Sequence, residues 1–244
     1  MTKLRAFLIH LGISLTVFGA LAYLVVEVWY PDFFFETDGG WQGLRLLLGV
    51  DLVLGPLRTL VVYRTGKPGL AFDLTMIGIV QVVSLAAGVW IVFGQRPLAI
   101  VYVDGSFFSV TAQSFKEVGV PVPDLDALPG PYPKWISVKL PKELDAQSTI
   151  RRDMLMSGRM LSTRSENYAP FDLKDLDEKE ARQAQEIEDR DRDSHALQPW
   201  LAEHGGEIGD YRFYPFGARY AYSYLGFDSK RERLVGLLRA PAPR

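Results

Sequence analysis

The sequence predicts a membrane protein: three N-terminal transmembrane helices followed by a small α+β domain outside the bilayer. Two observations carry this. Charge is divided unevenly, with 12 charged side chains in residues 1–95 (six basic, six acidic) and 44 in residues 96–244 (21 basic, 23 acidic). The first part also holds three apolar runs, each close to the roughly 20 residues needed to cross the hydrocarbon, whereas the second mixes β-rich runs with charged stretches. The chain therefore divides at residues 1–95 and 96–244.

The first span, residues 6–26, is interrupted only by His10 and small hydroxyls. Met1 to Arg5 resembles the start of a signal peptide, and Ala20-Leu21-Ala22 imitates a cleavage site. The apolar run continues through Val25, Val26 and Trp29, which favours an uncleaved anchor. The second span, 46–63, contains Asp51, Pro56 and Arg58, and the third, 74–94, has Gln81 as its main polar member. Lys3 and Arg5 before the first span, with Arg64 and Lys67 between the second and third, assign those ends to the cytoplasm. The loop 30–43 lacks basic residues and carries Tyr30, Phe33, Phe34, Phe35 and Trp41, as an outer interface does, and Trp90 and Phe93 repeat that belt. In a Gram-negative cell this is a multi-pass inner-membrane protein with a cytoplasmic N-terminus and a small α+β periplasmic domain.

Within that domain, Asp104-Gly105 between two β-rich runs, 98–103 and 106–110, signals a hairpin. Six prolines between Gly119 and Pro141 predict an irregular ordered loop anchored by Trp135 and Ile136. Residues 146–160 suit a short helix. Phe171 to Asp193, with ten acidic and five basic residues around a thin apolar stripe, predicts a long exposed helix, and Leu197 to His204 another. Residues 211–227 and 234–238 read as strands.

A net charge of −2 spread evenly excludes the basic face that nucleic acid requires. Zero cysteine removes disulfides, thiolate nucleophiles and cysteine-ligated metals together. No nucleophile elbow, P-loop or dinucleotide fingerprint is present, so the reading is non-enzymatic, with no cofactor. His195, Glu203 and His204 lack the third ligand and fixed spacing of a metal site.

Charge inside a span is costly and normally faces protein or water, which singles out Asp51 and Arg58. Seven residues apart, they project from nearly the same side of an α-helix, roughly 10 Å apart along its axis. Depth counted from the cytoplasmic ends sets Asp51 level with Ser84 and Thr16, and Arg58 level with His10. Pro56 cannot donate to the Leu52 carbonyl and should kink the span beside Asp51. Asp51, Arg58, Pro56, His10 and Ser84 form either a polar cluster that sets helix packing or a docking face for a partner helix. The small-residue ladder Gly12, Thr16 and Ala20, like Ser84 and Gly88, is read as contact within the bundle.

Several motifs together carry a family resemblance: Lys3-x-Arg5-Ala6-Phe7 and Ile9-His10 before a span, Trp29-Tyr30-Pro31, Gly49-Val50-Asp51-Leu52-Val53-Leu54-Gly55-Pro56-Leu57, and Lys67-Pro68-Gly69-Leu70-Ala71-Phe72-Asp73-Leu74. Over residues 1–110 the chain resembles the TfpX/TfpZ-type type IV pilin accessory proteins. The resemblance implies an inner-membrane, chaperone-like factor that assists assembly of a cognate type IV pilin, with that pilin and membrane lipids as partners and no catalytic residue. It also implies a client carrying a glutamate near the cytoplasmic start of its apolar helix, for which Arg58 is a candidate counter-charge. The rival readings are an envelope sensor or an accessory subunit of an unrelated membrane complex, with a membrane enzyme third.

The absence of native cysteine makes topology testable. Single cysteines at Thr37, Ser109 and Ser229 should react with an impermeant thiol reagent once the outer membrane is permeabilised, and one at Thr65 should not. Labelling at Thr65 would refute the three-span topology.

Overall fold

The chain divides into two compact units, Met1–Arg96 and Pro97–Arg244, and the computed structural model describes residues 2–63, 68–192 and 195–239 of them. Arg64, Thr65 and Lys67, on which part of the topology argument rests, lie outside the described residues.

The first unit is helical. Helix α1 (Lys3–Tyr23) is capped by Thr2, whose hydroxyl accepts from the Arg5 amide at 3.2 Å, and it runs on into a π-helical turn, Leu24–Trp29. Two short helices follow, α2 (Phe34–Thr37) and α3 (Gly40–Leu47). A second π-helical segment, Leu48–Leu54, leads directly into α4 (Gly55–Val62). Helix α5 (Leu70–Gly94) closes the unit. Among the described residues, two helical stretches, Lys3–Trp29 and Leu70–Gly94, are long and apolar enough to cross a membrane. The stretch expected as a simple span over 46–63 is instead part of a helical path that starts at Gly40 and changes winding twice.

The aromatic loop 30–43, expected as an exposed interfacial belt, is partly buried. Tyr30 and Phe34 are buried, and the Tyr30 hydroxyl donates to the Val92 carbonyl at 2.8 Å. Trp29 meets Phe93 edge-on at 5.3 Å. These contacts tie the end of α1 to the end of α5, while Trp41 and Trp90 remain exposed. Thr37 is buried and the Ser109 hydroxyl is inaccessible, so the labelling cysteines belong at the exposed Glu36 for this loop and at Ser229 for the second unit.

The second unit is a seven-stranded mixed sheet in the order β4-β3-β1-β2-β5-β6-β7. Strands β1 (Pro97–Val103) and β2 (Ser106–Thr111) form the expected hairpin, with Asp104 and Gly105 both at positive φ, as a tight two-residue turn requires. Strand β1 is buried along its whole length, which is why it reads as a continuous apolar run. The proline-rich stretch yields one strand, β3 (Lys134–Val138), which pairs parallel to β1. Its five residues lie between Pro133 and Pro141 and contain no proline, so nothing removes a ladder donor there. β4 (Tyr168–Pro170) pairs with β3, and β5 (Tyr211–Gly217), β6 (Tyr222–Asp228) and β7 (Arg233–Arg239) form an antiparallel meander.

Among the described residues four α-helices accompany the sheet: α6 (Ala112–Glu117), α7 (Leu144–Ser157), α8 (Ala184–Asp191) and α9 (Leu197–His204). Ile150 and Met154 of α7 pack on a core that includes Val101, Phe115 and Ile136. Trp200 of α9 packs on a second core with Phe213 and Tyr224. The carboxylate of Asp191 accepts the Ala196 and Leu197 amides at 2.7 and 3.0 Å and so fixes the start of α9.

The long helix expected over 171–193 is a correction. Among the described residues of that stretch α8 is the one α-helix, because the acidic side chains ahead of it bind elsewhere. Asp175 accepts from Ser137 at 2.5 Å and from Lys139, and it closes a capped turn with Asp172. Burial acts to raise the Asp175 pKa, but these hydrogen bonds hold it below the ordinary carboxylate value. Tyr102 meets Glu180 and the Asp177 amide, each at 3.3 Å, and the Tyr214 hydroxyl donates to the Asp177 carbonyl at 3.2 Å. Burial pushes the Tyr214 phenol up to about 12. A stretch that satisfies tyrosine tips on a sheet cannot also wind as one exposed helix. Two helical stretches of spanning length and a mixed-sheet unit make this a membrane-anchored α+β protein.

Candidate functional site

The candidate site lies in the helical unit and is built around Asp51, which is 3% exposed. Its Oδ1 accepts from Gln81 Nε2 of α5 at 2.9 Å and from Ser14 Oγ of α1 at 3.2 Å. Gln81 Nε2 also donates to the Val50 carbonyl at 3.0 Å. Nearby, His10 Nδ1 lies 2.6 Å from Thr59 Oγ1. One carboxylate therefore joins α1, the π-helical segment and α5.

The local backbone explains why this is possible. In the π register the amide due to serve the Asp51 carbonyl belongs to residue 56, and Pro56 has none. The Ser14 hydroxyl takes its place at 3.1 Å. The orphaned carbonyl is thus that of Asp51 rather than Leu52. Gly55 is required for a different reason: a Cβ there would stand 2.9 Å from Gln81 Cδ, so only glycine lets the amide reach Asp51.

The other expected members are placed differently. Arg58 is half-buried and its buried Nη1 has no hydrogen-bond partner, but it does not join Asp51 and His10. The π-helical segment adds a residue to the turn, so the position two turns from Asp51 on the same face is Thr59, not Arg58. Ser84 is half-buried one turn beyond Gln81, and the partner of Asp51 on α5 is Gln81. Thr16 is exposed and returns its hydroxyl to the Gly12 carbonyl at 3.1 Å, within its own helix. Gly12, Thr16 and Ala20 are all exposed, so that ladder is not a contact within the unit. Gly88 is one, since a Cβ there would lie 3.3 Å from Leu47 Cδ2. Sequence reasoning missed Ser14, Gly55 and Thr59. Ser14 stands four residues after His10, and that spacing was the available signal for it.

Between α1 and α5 lies a groove of about 400 Å³ with apolar walls, into which His10, Ser14, Asp51, Thr59 and Gln81 bring the polar groups. Asp51 Oδ2 and Gln81 Oε1 are buried without a hydrogen-bond partner. In the second unit, His204 stacks on Trp200 at 4.3 Å and its Nδ1 lies 2.8 Å from the Trp200 carbonyl, so it serves the fold. Among the described residues no three His, Asp or Glu side chains are grouped to hold a metal.

The cluster predicts unequal effects of two glycine substitutions. Gly55→Val should cost about 1–3 kcal/mol by overpacking against Gln81, and Asp51→Leu should insert normally yet loosen helix packing. Gly49→Ala, where a Cβ meets nothing within 4 Å, should be silent. Melting of the detergent-purified protein followed by size exclusion reads all three. Equal melting of Gly55→Val and Gly49→Ala would refute the packing role given to Gly55.

Comparison with known proteins gives the chain relatives over its N-terminal part. Residues 1–38 match the family model described as fimbrial assembly protein FimB. The fimbrial assembly protein of serogroups C1 and C2 from Dichelobacter nodosus is 31% identical over 96 residues, covering 38% of this chain and 73% of that relative. Its serogroup I counterpart is 31% identical over 96 residues, and there the matched stretch covers 38% of this chain and 37% of the relative. The serogroup E1 protein of the same organism is 30% identical with the same coverage. The chain thus spans little more than a third of the length of two of these relatives. No solved structure matches it. With nearly three quarters of the serogroup C1 and C2 protein matched at 31% identity, the chain belongs to the fimbrial assembly protein family.

Proposed function

We propose that this protein is a non-enzymatic, chaperone-like accessory factor of the bacterial inner membrane that assists assembly of a cognate type IV pilin into pili. Its relatives are named for fimbrial assembly, which supports the general role. The observation that carries the mechanism is the groove between α1 and α5, which has apolar walls and is lined by Asp51 and Gln81, each with a buried polar atom that has no hydrogen-bond partner. A soluble partner would not need such a surface, whereas an apolar helix waiting in the bilayer would.

The topology belongs to the same proposal. The path from Gly40 through the π-helical segment to Val62 is unbroken, and at about 1.5 Å per residue it is on the order of the hydrocarbon thickness. A third span along it leaves the N-terminus cytoplasmic and the mixed sheet periplasmic, beside the globular part of the client. Arg58 is then the counter-charge for a client carboxylate: its Nη1 is buried without a partner, and a guanidinium can bind a carboxylate bidentately where lysine cannot.

Arg58→Glu should lower pilin co-purification in detergent at least tenfold, and reversing the pilin glutamate to arginine should restore part of it. Under snorkelling of Arg58 to headgroups, Arg58→Lys would be harmless and the reversal would rescue nothing. Undiminished co-purification of Arg58→Glu would rule out the docking role of this residue.

A further inference from the structure

Asp51 is anchored at one carboxylate oxygen only. Its two side-chain partners, Ser14 and Gln81, are both neutral donors and both reach Oδ1, which leaves Oδ2 without a donor. Gln81 cannot supply one by turning its amide, because Nε2 is already held by Val50 and Asp51, and its own Oε1 is also bare. Two unsatisfied acceptors, one of them on a carboxylate, therefore belong to residues lining the same groove. A lipid acyl chain would leave both bare, and a carboxylate or carbonyl would add a third acceptor. A group with several N–H donors and a positive charge answers both needs, since an ammonium has three donors and no acceptor.

The walls indicate what carries that group. Ile9, Ile13 and Val17 of α1 form an exposed stripe at intervals of four residues, and Gly78, Val82 and Leu85 of α5 face it across the groove. Gly78 has nothing within 4 Å of its Cβ position. Two parallel apolar stripes about two turns long are the seat for a third helix. We propose that this groove binds a cationic N–H donor, an ammonium or guanidinium group, carried into it on an apolar helix of the client. Naming that client as the pilin rests on the function proposed above. The charge preference rests on Asp51 and Gln81 alone.

Two measurements on the full chain separate these points. In a neutral maltoside detergent, dodecylammonium should raise the melting temperature of the wild-type protein by several degrees more than dodecanol does, and Asp51→Asn should abolish the difference. Equal effects of the amine and the alcohol on the wild-type protein would overturn the proposal, as would an unchanged difference in Asp51→Asn. In cells, a photo-crosslinking residue at Ile13 should capture the pilin, and Asp51→Asn should reduce that capture at least tenfold. Capture of lipid or of a second copy at Ile13 overturns the helix-docking assignment, as does pilin capture that Asp51→Asn leaves undiminished. Pilin captured through Trp41 but not through Ile13 would overturn the groove while leaving the assembly role standing. Discrimination between amine and alcohol with no pilin captured at either position would uphold the charge preference and defeat the proposed client.

Discussion

A carboxylate set among apolar helices has to find hydrogen-bond donors from its neighbours, because neither lipid nor an α-helical backbone supplies them, and the unpaired group costs about 2.5–3.5 kcal/mol on insertion scales. Asp51 meets that requirement with one donor from α1 and one from α5. The arrangement of the helical unit follows from it. Ser14 must face inward, Gln81 must lie level with the π-helical segment, and Gly55 must lack a side chain so that the amide can pass. Pro56 adds a second demand by leaving the Asp51 carbonyl without its backbone donor, which the same Ser14 hydroxyl meets.

The cluster is only partly satisfied, and a half-paired polar network is less stable than an apolar one. Here the two remaining acceptors belong to residues of a groove whose walls are apolar and exposed. The same side chain thus holds three helical segments at one oxygen and leaves the other without a donor. Arg58 is the opposite case, a donor without an acceptor, displaced from the groove by the extra residue of the π-helical turn.

Much of this was legible in the residues, and the failures have physical causes. The Asp104-Gly105 hairpin and the helix Leu197–His204 were readable because their signals are local: a turn that needs positive φ, and an apolar stripe ended by Gly205. The stretch 171–193 was misread because its acidic residues bind Ser137, Lys139 and Tyr102, and contacts far apart in sequence leave no periodic trace. Asp51 stood out at once by its cost in a span. Its partners did not, since a strict α-helical register was assumed across residues 48–54. One π-helical segment replaces Arg58 with Thr59 on the inner face, and depth counting alone favoured Ser84 and Thr16 over Gln81 and Ser14.

The Asp51 cluster holds the segment from Gly40 to Val62 against α5. Gly43 and Val92 report on this directly, because a Cβ built on Gly43 lies 3.6 Å from Val92 Cβ, within the span of a disulfide. The measurement is the rate at which a Gly43→Cys, Val92→Cys pair oxidises in native membranes, with Asp51 intact and with Asp51→Leu. Crosslinking should be rapid and near complete with Asp51 present and at least tenfold slower without it. Equal rates in the two backgrounds, or no crosslink in either, would contradict it.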